Sequence, residues 1–413
     1  MEMAKKIPVS IPAISIARSI LGRDLAESLF SLFLCTVGDL FTGIAMGIFT
    51  GYLEMLPALL ILIPPTIGMR GNIFASLGSR LGTYLHTGEI SPSFKMNPLL
   101  SQNIYSSMAL TGISGILLGF LSTLVSHLLG MKASIYDMVL ISIIAGILSA
   151  IVMLLFTFII AFLSFRKGWD PDNTTAPLIT LIGDMVTLPF LFLSFLVIQG
   201  LSILAKQSLF IASLLTILIV PAIYPRKERE VYARIMRESL PILSVCGILG
   251  TVSGFVLTTR IEGFISVPGL LILIPPFLED GGAIGSILAS RLSSALHLGH
   301  LEYEKFASRS VLRLFALSHT LSIFVFSLVA VFGYASAFLL GIRTLPFPCI
   351  LLASVMAGEL LTLIVNLVTY YVAIRSFKIG MDPDNVTIPI ITSTVDLMGS
   401  MCFVGILVLL GMV

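Results

Sequence analysis

The chain reads GWDPDNTTAPLITLIGD from Gly168 to Asp184 and, 212 residues later, GMDPDNVTIPIITSTVD from Gly380 to Asp396. Ten of these seventeen positions are identical in the two copies. In each copy an aspartate, Asp184 or Asp396, sits well inside an apolar run. A charged side chain at membrane depth is energetically costly and by default marks a functional site. Two such carboxylates, at matched positions of a duplicated sequence, predict a cation path between two halves.

The composition indicates a polytopic membrane protein. Of the 413 residues, 57% are hydrophobic and only 11% are charged, with a mean hydropathy of +1.06, whereas soluble proteins carry about 25% charged residues. The apolar runs are long and lack the alternation of barrel strands, so an all-α fold is expected. The four cysteines show no metal-ligand spacing, and we expect free thiols that pack as small hydrophobic side chains.

The repetition extends beyond the aspartate motif. The stretch PALLILIPP at residues 57–65 returns as PGLLILIPP at residues 268–276, an offset of 211. The double proline predicts a broken second helix in each copy, because proline lacks an amide donor and clashes with the preceding turn. From the positions of the repeats we predict a cytoplasmic N-terminal lead at 1–24, a first repeat at 25–205, a connecting transmembrane helix with a basic linker at 206–237, and a second repeat at 238–413.

The connecting helix determines the orientation of the second repeat in the membrane. Each repeat has five predicted spans, an odd number, so one extra crossing gives the second repeat the same orientation as the first. We therefore predict two parallel five-helix repeats, about 11 spans in all, related by a pseudo-twofold axis along the membrane normal.

The basic residues predict the orientation. With the N-terminus inside, 19 of the 24 Lys and Arg residues fall on the inner side, four on the outer side, and Arg70 at depth. This bias predicts a multi-pass cell-membrane protein with a cytoplasmic N-terminus and the C-terminus outside. The start of the chain shows no signal-peptide pattern. We expect the protein to contact the lipid bilayer and to bind no nucleic acid.

The candidate site follows from helical spacing. Asn173, Pro177, Thr180 and Asp184 lie on one face of a helix, and the second copy repeats this stripe. Asp170-Pro171 and Asp382-Pro383 suit helix starts, so their acidic residues serve as caps or attract cations. The candidate cation-binding residues are Asp184, Asp396, Asn72, Thr180, Thr392, Asp170, Asp172, Asp382, Asp384, Asp39, Glu279 and Asp280.

These candidates offer only oxygen donors, which suit Mg²⁺, Ca²⁺ or Mn²⁺ better than Zn²⁺ or copper. Some of them have alternative roles. Asn72 offers its carbonyl oxygen to a cation or its water, or else bonds to a neighbouring helix. Glu279 and Asp280 line the path, or pair with Arg70 across the pseudo-twofold axis. Glu359 is a further acidic residue at depth, without a counterpart in the other repeat.

The run MRGNIFASLGSRLGT at residues 69–83, its weaker copy around ASRLS at residues 289–293, and the two DPDN motifs resemble the MgtE superfamily of magnesium transporters. The tandem layout is similar to that of the solute carrier family 41 branch. The resemblance covers the chain from about Glu27 to its end. It implies an ion path between two five-helix domains that pair as MgtE homodimers do. The deep acidic residue that contacts the hydrated ion corresponds to Asp184 and Asp396.

The resemblance also has a departure. The Gly-Asn motif of the second MgtE helix corresponds to Gly71 and Asn72, but the second repeat has Gly282 and Ala283. The cytoplasmic regulatory domains of MgtE proteins have no counterpart in this sequence.

The predicted function is transport of a divalent cation, with Mg²⁺ as the first candidate. No cofactor and no enzymatic activity are expected. The internal pseudo-dimer allows a monomer to work alone. The alternatives are a secondary transporter of another cation or small solute, and a membrane enzyme that binds Mg²⁺-diphosphate. That enzyme requires basic residues around the diphosphate, and only the pairs Arg166-Lys167 and Arg375 with Lys378 lie near the motifs.

Overall fold

The computed structural model describes residues 13–167, 171–223, 230–297, 308–378 and 383–413. Within these ranges it contains α-helices and no strands, so the predicted all-α polytopic class is confirmed. The helices are α1 (Ala13–Ile48), α2 (Thr50–Met55), α3 (Leu59–His86), α4 (Pro98–Leu128), α5 (Ile135–Arg166), α6 (Pro171–Gln199), α7 (Ile203–Ile223), α8 (Glu230–Thr258), α9 (Ile261–Ser266), α10 (Gly269–His297), α11 (Arg309–Leu339), α12 (Phe347–Lys378) and α13 (Pro383–Leu409).

Most of these helices are long and apolar enough to cross a bilayer. In the described part of the chain nine helices meet that description, and two shorter apolar stretches, Leu32–Ile48 and Ile203–Ile217, occupy the positions of the first and the connecting span. The order of helices repeats on either side of α7: one long helix, one short helix and four long helices.

The first helix is longer than the predicted first span. Residues 13–24 continue into it without a break, so this part of the predicted lead belongs to the helix α1.

The predicted break at Pro64-Pro65 is wrong. The helix α3 runs through both prolines, and the interruption comes earlier, at residues 56–58 between α2 and α3. The helix α10 likewise runs through Pro275 and Pro276. Proline removes the amide that would bond four residues back, which leaves the carbonyls of Ile61 and Ile272 without that partner.

The two halves are interleaved. The helix α1 packs mainly against α10 and also against α11 of the second half, and α8 packs mainly against α3 and α4 of the first half. Glycines permit the closest approaches. A Cβ on Gly254 in α8 would collide with the carbonyl oxygen of Ile61, and one on Gly43 in α1 would collide with that of Ile272. The carbonyls of Ile61 and Ile272, which Pro65 and Pro276 leave without an amide donor, therefore each lie against a glycine of the opposite half.

The connecting helix α7 packs on the first half. Lys206 at its start forms an ion pair with Asp137 of α5, with 2.8 Å between Nζ and Oδ1, and both side chains are largely buried. Phe210 packs edge-on against Tyr136, with the ring centroids 5.2 Å apart.

We expect Lys206→Met to lower the stability of the chain by about 1–3 kcal/mol, because removal of one partner leaves the other charge buried and unpaired. The measurement is thermal unfolding of the purified protein in detergent. Lys132→Met is the matched control, since Lys132 is exposed and its replacement makes the same change in charge. Equal melting temperatures for the two variants would contradict a stabilising role for the pair.

Candidate functional site

A cavity of about 520 Å³ lies between the halves, lined by α1, α3 and α6 of the first half and by α10 and α13 of the second. Serines line it, as do Cys35 and the first proline of each pair, Pro64 of α3 and Pro275 of α10. No Lys or Arg is among the lining residues that the structure describes. Seven of the twelve predicted site residues line it: Asp39, Asn72, Thr180, Asp184, Glu279, Thr392 and Asp396.

The other five predicted residues are not placed in the cavity. Asp280 is fully buried but does not line it. Asp170 and Asp382 lie outside the described residues, and the side chains of Asp172 and Asp384 are not described. The helices α6 and α13 do begin at Pro171 and Pro383, as the motif predicts.

The two deep aspartates share this cavity. Asp184 is only 4% exposed, and it lines the cavity together with Glu279 and Asp396. Asp396 reaches the first half, because a Cβ placed on Gly68 of α3 would lie 3.3 Å from its Oδ2. The motif on α6 and its copy on α13 thus direct their carboxylates into one space.

Two glycines allow close packing around Thr180 and Thr392, the uncharged threonines of the repeated motif. A Cβ on Gly71 would lie 3.1 Å from the methyl carbon of Thr180, and one on Gly282 would lie 3.9 Å from that of Thr392. In each half the proline-containing helix therefore packs on the threonine-bearing face of the last helix. Asn72 lines the cavity one residue after Gly71, and Ala283 occupies the corresponding place in the second half.

Two buried acidic residues without a repeat counterpart, Asp39 and Asp280, belong to α1 and α10. Asp39 of α1 is fully buried, and neither of its carboxylate oxygens has a hydrogen-bond partner among the described residues. Asp280 of α10 accepts a hydrogen bond of 2.7 Å from the hydroxyl of Thr36, while its other oxygen has no such partner. Sequence reasoning missed Thr36, although it lies three residues before Asp39 and hence on nearly the same helical face.

Arg70 does not pair with these acids. Its side chain is fully buried, and its guanidinium lies on the α5 side, where a Cβ on Gly146 would be 2.8 Å from Nη2. None of its guanidinium nitrogens has a hydrogen-bond partner among the described residues. The predicted alternative, in which Arg70 pairs with Glu279 or Asp280, is therefore wrong.

Cys35 was predicted only to pack as a small hydrophobic side chain, yet it lines the cavity. It lies four residues before Asp39, a spacing that places both side chains on one helical face. All four cysteines are free thiols, as predicted. Cys246, at the equivalent position in the second repeat, lies 3.0 Å from the hydroxyl of Ser393, which donates a hydrogen bond to its sulfur.

Glu359 pairs locally instead of lining the cavity. Its Oε2 lies 2.7 Å from Nδ1 of His319 on α11. We expect Glu359→Gln to leave cation uptake within about twofold of the original rate, a difference below about 0.5 kcal/mol. Uptake into proteoliposomes measures this, with Asp396→Asn assayed in parallel. A loss as large as that of Asp396→Asn would place Glu359 in the ion path.

The described carboxylates do not form a close ligand set. No group of three or more His, Cys, Asp or Glu side chains in the described ranges converges tightly enough to hold a metal ion directly. Mg²⁺ gives up its waters reluctantly and commonly keeps several of them when bound.

The fold and the cavity together define a helical membrane protein with a duplicated core and an acidic chamber between its halves. A family model described as MgtE, divalent cation transporter, matches residues 63–194 and again residues 274–406. The chain belongs to the MgtE family of divalent cation transporters, and the predicted family is confirmed.

Two of the relatives that match the chain are members of solute carrier family 41. The chain is 24% identical to solute carrier family 41 member 3 of Rattus norvegicus over 392 residues, which covers 84% of this chain and 79% of the relative. It is 25% identical to solute carrier family 41 member 2 of Mus musculus over 372 residues, and there it spans 82% of this chain but 62% of the relative. No solved structure gives a significant match.

Proposed function

We propose that the chain transports Mg²⁺ through the cavity between its halves, with Asp184 and Asp396 as the paired residues that hold the hydrated ion. The observation that carries this proposal is that the deep carboxylates of two copies of one motif line the same cavity. Membership of a divalent cation transporter family supports the class of substrate.

The size of the cavity supports a hydrated ion. Six waters occupy roughly 180 Å³ at the volume of liquid water, and the cavity measures about 520 Å³. A hydrated Mg²⁺ therefore fits with its first water shell intact. Carboxylates accept hydrogen bonds from these waters and repel anions. In this proposal Thr180, Thr392 and Asn72 supply neutral contacts to the same waters.

The acidic residues at the start of α6 and α13 have a separate proposed role. Asp170, Asp172, Asp382 and Asp384 would attract cations to the inner mouth, in the orientation with the N-terminus in the cytoplasm. The two repeats would then be parallel, and a single chain would enclose the whole path.

The test is uptake into proteoliposomes that hold the purified protein and a Mg²⁺-sensitive dye. We expect uptake driven by a Mg²⁺ gradient alone, with lower rates for Ca²⁺, which binds its waters less tightly. Flux that requires an imposed Na⁺ or proton gradient would indicate exchange with that ion. Lack of flux under every gradient, with protein shown to be folded by its thermal transition, would refute the proposal.

A further inference from the structure

The cavity is not equally acidic on its two sides. The deep pair Asp184 and Asp396 is duplicated, but three further carboxylates are not. At the offset of 211 residues that relates the first helices of the two repeats, Asp39, Glu279 and Asp280 correspond to the uncharged residues Gly250, Gly68 and Met69. All three extra carboxylates belong to the contact between α1 and α10, whereas the equivalent contact between α8 and α3 has none of them.

Asp39 is the member of this group that most clearly lacks a partner. It is 0% exposed, it lines the cavity, and neither of its oxygens is hydrogen-bonded within the described structure. Glu279 of α10 lines the same cavity. Asp280 does not line it, and its Oδ2 lies 2.7 Å from the hydroxyl of Thr36. The part of the cavity lining that belongs to α1 and α10 therefore includes the carboxylates of Asp39 and Glu279.

The carboxylates at the cavity outnumber the two that one divalent cation neutralises. In the described part of the chain, four carboxylates line the cavity, those of Asp39, Asp184, Glu279 and Asp396, and Asp280 is buried beside Glu279 in the sequence. Arg70 is the one fully buried basic residue among those described, and its guanidinium makes no hydrogen bond to any of them. Burial disfavours the charged form of a carboxylate, so a buried carboxylate that faces no basic group is neutralised by a proton or by a bound cation. One divalent cation at Asp184 and Asp396 therefore leaves Asp39 and Glu279 to a proton or to a second cation.

We propose that a second hydrated divalent cation binds between Asp39 and Glu279, beside the ion at Asp184 and Asp396, and that both positions are filled at once. The proposal rests on the proposed function, because it assumes that this cavity receives divalent cations. Two neighbouring ions repel each other, so the entry of one weakens the hold on the other. Conduction requires this combination of favourable entry and easy exit.

The experiment counts bound ions with Mn²⁺ as the probe, on the full chain in lipid nanodiscs, by the electron paramagnetic resonance signal of free Mn²⁺. We expect about two high-affinity ions per original chain. Asp39→Asn/Glu279→Gln should bind one, and Asp184→Asn/Asp396→Asn should also bind one. Glu54→Gln, at an exposed position of α2, is the matched control and should bind two. Thermal unfolding establishes that each variant is folded. If Asp39→Asn/Glu279→Gln does not fold, the ion count is made on Asp39→Asn alone.

A single bound ion in the original chain would overturn the proposal, as would two ions in the Asp39→Asn/Glu279→Gln variant. Mg²⁺ uptake separates these failures from failure of the proposed function. If uptake depends on Asp184 and Asp396 while only one ion binds, the proposed transport path is supported and the second cation site is refuted. If uptake is independent of Asp184 and Asp396, the proposed path itself falls.

Discussion

Replacing Asp184 and Asp396 together by asparagine is expected to lower Mg²⁺ uptake roughly 100-fold while leaving the protein folded. Both side chains line the cavity, and Asp184 is almost fully buried. A hydrogen bond that involves a charged group contributes about 1.5–3 kcal/mol, and each 1.4 kcal/mol corresponds to a factor of ten. The loss of two such contacts to a hydrated ion therefore accounts for the expected effect.

Asparagine keeps the shape of aspartate, so the cavity should keep its volume in this variant. Each single variant is expected to lose about tenfold, since one carboxylate remains to accept hydrogen bonds from the ion's waters. Glu54→Gln again supplies the control, because it removes one acidic charge from an exposed site. The measurement is initial uptake into proteoliposomes at matched protein content. Uptake by the double variant at more than about a third of the original rate would contradict the assignment.

Gly254→Ala is expected to destabilise the protein by about 1–3 kcal/mol, the usual cost of inserting a methyl group into a closely packed contact. The methyl group would collide with the backbone carbonyl of Ile61 and lie 2.7 Å from its Cα. Backbone atoms inside a helix cannot rotate away as a flexible side chain can. The helices α8 and α3 would have to separate. Because this contact lies between the halves, cation uptake should fall together with stability.

The matched control is Gly405→Ala, since no heavy atom lies within 4 Å of a Cβ at that helical position. Alanine there should raise the stability slightly, by up to about 1 kcal/mol, because it favours the helix over the unfolded chain. Gly43→Ala tests the pseudo-equivalent contact with Ile272 and should resemble Gly254→Ala. Thermal unfolding in detergent decides the matter. Equal melting temperatures for Gly254→Ala and Gly405→Ala would show that the close contact is unimportant.

Much of this architecture is predictable from the sequence because the chain is duplicated. A residue that recurs at a fixed offset within an apolar run identifies both the repeat and the site, as Asp184 and Asp396 do. The helix starts at Pro171 and Pro383 follow from local chemistry, since proline suits the first turn. Seven predicted site residues line one cavity. Four of them, Thr180, Asp184, Thr392 and Asp396, follow from helical spacing, which places each threonine and its aspartate on one face of the helix.

The remaining features depend on contacts between distant parts of the chain. The double proline predicts a break, but α3 continues through it, and the carbonyl of Ile61 lies against Gly254 of the other half. The direction of Arg70 depends on the space beside Gly146, 76 residues further on. The hydrogen bond from Thr36 to Asp280 joins residues 244 positions apart. Periodicity and composition carry no information about such pairs.

The interleaved packing of the halves has a consequence for biosynthesis. The main partner of α1 is α10, which follows it by more than 200 residues, so the first helix leaves the ribosome long before its partner exists. At synthesis rates of about 5–20 residues per second, α1 waits in the membrane for roughly 10–40 seconds. During that time the surface of α1 that bears Asp39 lacks its permanent neighbour. The first half is thus an incomplete folding unit, and the nascent chain needs its C-terminal half to bury the Asp39 side chain away from lipid.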